Sequence, residues 1–157
     1  MVSELHPDLE PLAFLLGTWR GEGEGDYPTT EPFRFREEIR FEHVGEDFLL
    51  FTQESWMLPD GSPLHFERGV LRPAGPGRVE LALAHPGGTV EISEGTQDAT
   101  AIEVASTSIG RSATGDPLTG LVRRYSVEGH ALRYEIDMAT EETPMTFHVR
   151  GELRRDS

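Results

Sequence analysis

The chain opens on one short stretch of helical spacing and then changes period. Leu9, Leu12, Ala13, Leu15 and Leu16 recur at near-helical intervals behind Pro7 and Asp8, and Gly17 stops the run. That length fits one to two turns, α or 3₁₀. From Thr18 onward apolar and polar residues alternate. FRFREEIRFEH sets Phe33, Phe35, Ile39 and Phe41 on one face of a strand and Arg34, Arg36, Glu38 and Arg40 on the other. TWRGEG, FLLFTQESW, LHFERGVLR, RVELALAH, TVEIS, AIEVASTS, LVRRYSV, ALRYEIDMA and MTFHVRGEL complete the series. Turn chemistry such as PDGSP, PAGPG, PGG and EGTQD separates them.

About ten short strands joined by hairpin connections, with no crossover helix, predict an all-β fold. The expected architecture is an antiparallel up-and-down β-barrel with a short N-terminal helix, closed because closure removes exposed edges. No linker, repeat or low-complexity segment interrupts the pattern, so residues 1–157 read as a single domain. A barrel this wide is not filled by its own side chains, and its interior is a candidate ligand cavity.

Composition narrows the partners. The net charge of −14 is spread along the chain and argues against nucleic acid and anionic membranes, which need basic patches. The absence of cysteine excludes disulfides, thiolate metal sites and thiol nucleophiles. Neither a signal peptide nor an apolar run of the ~20 residues a span requires is present, which makes the cytoplasm the expected location.

Ser55, Ser62, Ser106 and Ser108 sit in no GxSxG elbow, and HExxH and phosphate-cradling motifs are absent. The acid pairs Glu37–Glu38 and Glu141–Glu142 read as solvated surface, since strand neighbours point to opposite faces. Six histidines remain: His6, His43, His65, His85, His130 and His148, with no HxH spacing among them. His6 and His130 read as surface residues, whereas His65 and His85 lie at strand ends that can reach a cavity mouth. In MTFHVRGEL, Met145, Phe147, Val149, Gly151 and Leu153 share one face, and Thr146, His148, Arg150 and Glu152 the other. Alternation alone makes His148 look exposed. In a barrel that holds a ligand the polar face can instead be the lumen, and alternation does not decide between them.

The stretch LGTWRGEGEGDYPT spends Gly21, Gly23 and Gly25 on the parity of Trp19. Such glycines admit a second backbone or a bulky ring at close range. The expected picture is an indole plugging the barrel's closed end beside bare backbone.

GTWRGEG, with Tyr27, Pro28 and Thr29 after it, resembles the G-x-W-x-G-x-G signature of the nitrobindin family. FRFREEIRFEHVG, PLHFERGVLR, AHPGGTVEISEG, YSVEGHALRYEIDMAT and PMTFHVRGEL extend the resemblance in order, from about Leu12 to Arg155. It implies a ten-stranded barrel holding one ferric haem b per chain, binding nitric oxide and isomerising peroxynitrite to nitrate; a homodimer is also plausible on this resemblance alone. Carried onto this chain, His148 is the implied axial ligand of the haem iron and Thr29 a haem contact. Leu64, His65, His85 and Met138 are implied pocket lining. One departure stands out: relatives place a lysine where this chain has Gly115 or Asp116, which removes a cation able to pair with a haem propionate. The residues themselves leave a second class open, a non-catalytic barrel for a small apolar ligand such as a fatty acid.

Overall fold

A computed structural model describes residues 3–156. Ten antiparallel strands follow one another in order: β1 (Gly17–Tyr27), β2 (Thr30–His43), β3 (Leu49–Met57), β4 (Pro63–Pro73) and β5 (Arg78–His85), then β6 (Thr89–Asp98), β7 (Ala101–Arg111), β8 (Leu118–Glu128), β9 (Ala131–Thr140) and β10 (Thr146–Arg155). Each strand pairs with its sequence neighbours, and β1 pairs with β10 to close the barrel. Closure pairs every strand with two neighbours, although the β7–β8 ladder spans only Ala101–Ala105 against Val122–Ser126 and leaves the rest of β7 unpaired on that side.

The N-terminal segment is a 3₁₀ helix, Pro7–Leu15. Pro11 lies inside it, and a proline there lacks the N–H that an α-helix would use. Leu9, Leu12 and Leu15 are fully buried and cap one end of the barrel together with Trp19. The Trp19 indole N–H donates to the Leu15 carbonyl at 2.8 Å, and the Arg155 guanidinium sits 4.4 Å from the ring centre. This end is sealed by aliphatic packing around one satisfied indole, as the opening motif led us to expect.

The glycines after Trp19 serve close approach. A Cβ on Gly21 would overlap the β10 backbone at Glu152, and one on Gly23 or Gly25 would overlap the rings of Phe35 or Phe33. Gly25 therefore gives Phe33 its seat across β1.

Two expectations are corrected. EGTQD is not a turn: β6 runs on through it to Asp98 and the chain reverses at Ala99 and Thr100. Gly95 keeps pairing there because, lacking a Cβ, it lets β7 lie against it with the Val104 Cα only 2.8 Å from where a Cβ would stand. Glu37 is not solvated surface either. Its neighbour Glu38 faces outward and pairs with Arg20 and Arg40, while Glu37 shares the inward face of Phe35 and Ile39 and is buried.

Candidate functional site

Away from the Trp19 end the barrel opens into a cavity of about 830 Å³. Drug- and cofactor-sized ligands occupy pockets of roughly this size. A concavity of about 810 Å³ on the outer wall is more open and rimmed by charged side chains, among them Arg150 and Glu24, that pair with one another. It offers no comparable enclosure.

His148 reaches the cavity through a fault in the sheet. Along β10, Phe147 pairs with Asp137 and Val149 with Ile136, so His148 is the extra residue of a β-bulge. A bulge re-aims a side chain that simple alternation would send elsewhere. Phe147 thus turns outward beneath the Arg150 guanidinium, 4.5 Å from its ring centre, while His148 and Val149 both line the cavity. The face drawn from alternation, with Phe147 and Val149 on one side and His148 opposite, does not survive the bulge.

Two rings hold the imidazole edge-on. Tyr27 lies 5.2 Å from it at 73° and Phe33 6.2 Å away at 62°. Tyr27 is itself anchored, its hydroxyl donating to the Met138 carbonyl at 3.0 Å. The His148 Nδ1 is buried without a hydrogen-bond partner. Burial lowers the pKa of the ring, the Asp26 carbonyl partly opposing this from beyond hydrogen-bond geometry. A neutral imidazole at the wall of a large cavity suits an iron ligand, and the buried Nδ1, on whose side the Asp26 carbonyl acts, is the nitrogen left to carry the ring's proton. The surrounding apolar lining includes Phe35, Leu118, Leu121 and Ile136, and these residues fit a haem.

The other implied residues fall as follows. Leu64, His65, His85 and Met138 line the same cavity as His148. Leu64 and His65 are exposed, whereas His85 has only 8% of its side chain exposed. Thr29 occupies the turn between β1 and β2, exposed and outside the lining, to which the next residue, Thr30, contributes. Asp116, one of the two residues at the relatives' lysine position, also lines the cavity, and Gly115 packs on Gly88.

Alternation along the strands did not signal the cavity's charged wall. Arg123 is fully buried with all five of its N–H donors engaged: it bonds Glu67 at 2.7 and 2.9 Å, Glu91 at 3.0 and 2.7 Å, and the Tyr125 hydroxyl at 3.0 Å. Burial works against ionising both acids, but Arg123 prevails. Glu67 is held well below the usual carboxylate range and Glu91 at about 2. His85 Nε2 meets Glu91 at 2.9 Å, His65 Nε2 meets Glu67 at 3.3 Å, and Ser93 donates to Glu91 at 2.5 Å. On β6 the inward residues are thus Thr89, Glu91 and Ser93, while Val90 and Ile92 face out. An acid flanked by valine and isoleucine looks like a solvent-facing residue in sequence, and here it is the reverse. A second buried group lies on β2, where Glu37 accepts from the Tyr134 hydroxyl at 2.5 Å and from the Gln53 amide at 2.6 Å.

Similarity to known proteins identifies the family. Residues 8–155 match the family described as THAP4-like, heme-binding beta-barrel domain. Peroxynitrite isomerase 2 of Mycobacterium marinum is 45% identical over the full length of both chains. Peroxynitrite isomerase of Nocardia farcinica is 45% identical, covering 97% of this chain and 93% of its own. The crystal structure of Rv2717c from M. tuberculosis superposes with a TM-score of 0.91 at 42% identity, covering 98% of this chain and all of that one. The chain therefore belongs to the THAP4-like, heme-binding β-barrel family, the nitrobindin family.

Proposed function

We propose that this single-domain protein binds one ferric haem b per chain through His148, binds nitric oxide and isomerises peroxynitrite to nitrate. The observation that carries the reading is the β10 bulge, which turns the His148 imidazole into a cavity of about 830 Å³. The names of full-length relatives supply the reaction. When bound, ferric haem supplies the Lewis-acidic iron at which the peroxynitrite anion rearranges to nitrate, with no other reactant consumed.

The chain's own residues position and shield. Tyr27 and Phe33 fix the plane of His148, and burial keeps its ring unprotonated and able to donate a lone pair. Leu64 and Met138 supply apolar contact and the His65 and His85 rings line the same cavity, while Thr29, in the turn just before the lining residue Thr30, would meet the haem only at its edge. The described residues contain no helix long and apolar enough to cross a membrane, and we assign the protein to the cytoplasm. A homodimer completes the proposal, with the outer faces of β4–β6 as the contact.

Hemin titration of the purified protein tests the cofactor. A Soret band saturating at one equivalent and lost in His148→Ala is expected; an unchanged spectrum in that variant removes His148 as ligand. Absence of any Soret band favours the small-apolar-ligand barrel. The loaded protein should accelerate peroxynitrite decay and shield a tyrosine probe from nitration. Haem binding without that protection would overturn the isomerase assignment.

A further inference from the structure

The barrel wall carries a second arrangement of metal-ligand type, apart from His148. His65 and Glu67 on β4 and His85 at the end of β5 bring one donor atom each to within 4.8 Å of one another. Glu67 Oε2 lies centrally, 3.3 Å from His65 Nε2 and 3.4 Å from His85 Nδ1. Donors bound tetrahedrally at 2.0–2.1 Å around zinc stand about 3.4 Å apart, a separation that both imidazole–carboxylate pairs already have, the two imidazoles lying within 4.8 Å.

The surroundings orient these donors as a metal site would. His85 Nε2 points at Glu91 Oε1 at 2.9 Å, and a carboxylate there fixes the proton on Nε2. That leaves the Nδ1 lone pair directed at Glu67 Oε2, also an acceptor. Two acceptors do not face each other at 3.4 Å unless something positive joins them, a second imidazole proton or a cation. Glu91 in turn is held by Ser93 and Arg123, so the orienting carboxylate is itself fixed.

Charge runs in the same direction. Arg123 neutralises only one of the two carboxylates it bridges, so with neutral imidazoles the buried cluster keeps one excess negative charge. Both Glu67 oxygens accept from the guanidinium, but a carboxylate has about four lone-pair sites, which leaves Oε2 able to bind outward. The His65 side chain is 42% exposed and opens the cluster to the cavity, giving an ion a way in and a free position for water or an anion.

We propose that His65, Glu67 and His85 form a binding site for a divalent first-row transition metal of the zinc type, on the wall of the cavity that His148 also lines. Two imidazoles and one carboxylate are borderline donors that suit such ions better than magnesium or calcium. The site does not depend on the haem reading, since none of its donors is His148.

The full-length protein, stripped with chelator and free of haem, is titrated with Co²⁺ as a spectroscopic probe. One equivalent should produce the intense visible d–d bands of low coordination number, and Zn²⁺ should abolish them. His65→Ala, an exposed position that leaves folding intact, should weaken binding at least about 10-fold; His148→Ala should leave it unchanged. His85→Ala, checked for folding by circular dichroism, should remove it. An unchanged Co²⁺ affinity in His65→Ala, or loss of the bands only in His148→Ala, overturns the site. Failure of the parent protein to bind Co²⁺ or Zn²⁺ also overturns it and leaves a proton between His85 and Glu67.

Discussion

Glu37 shows what one buried side chain can impose on a barrel. It sits between the Tyr134 hydroxyl and the Gln53 amide, with Glu67 and His65 as the charged and titratable groups acting on it from β4. Burial pushes its carboxyl up to about 7 from 4.5, the two hydrogen bonds pulling the other way. The folded protein therefore holds this proton more tightly than the unfolded chain does, and stability falls as pH rises from about 4.5 to about 7. The full loss, present above that window, is about 3 kcal/mol at 1.36 kcal/mol per unit. Gln53 Oε1 is buried without a partner, so an amide at position 37 has an acceptor waiting. Glu37→Gln should stabilise the protein above the window and leave it little changed below. Urea unfolding of parent and variant on both sides of the window measures this; stability curves that stay parallel would refute it.

At the scale of the strand, β10 decides whether the protein has a site at all. Its bulge inserts His148 between the pairs Phe147–Asp137 and Val149–Ile136, and one residue fewer would restore strict alternation. Deleting Phe147 would pair the histidine with Asp137 and send it outward into the former place of Phe147. The barrel should remain folded, with circular dichroism unchanged, while hemin no longer gives a Soret band. Retained haem binding in the deletion variant would show that the bulge does not aim His148. Strand existence was legible because turn residues and period-two patterning sit in the same segments, as in FRFREEIRFEH. The direction of His148 was not, since a bulge depends on the register of the partner strand, which no single strand encodes. The glycines illustrate the middle case. Gly23 and Gly25 announced that something large approaches β1, but only the fold identifies Phe35 and Phe33, the latter against His148.

For the whole molecule, the charged wall has a cost on the outside. Strands β4 and β6 direct Glu67, Glu91 and Ser93 inward, and alternation then drives Phe66, Val90 and Ile92 outward, where they are 41%, 54% and 41% exposed. Ala82 and Ala84 on β5 pair with Ile92 and Val90, and Val70 on β4 pairs with Ala82, so an apolar patch runs across the three strands with Arg68 beside Ala84 at its β4 side. That inversion was hidden in the sequence because inside and outside cannot be told apart when polar residues occupy the lumen. An apolar patch of this kind on a chain of net charge −14 calls for cover, and an isologous pairing of two copies buries it on both at once. Two such bodies repel at long range, so the dimer should tighten as salt screens that repulsion, opposite to an interface built on ion pairs. Sedimentation should find the parent dimeric and increasingly so with salt. Val90→Glu combined with Ile92→Glu should give a monomer that still takes up one haem, because every residue assigned to the cavity comes from one chain. A parent that sediments as a monomer at all salt concentrations would end the homodimer proposal, and a dimer untouched by the double substitution would move the interface to another face.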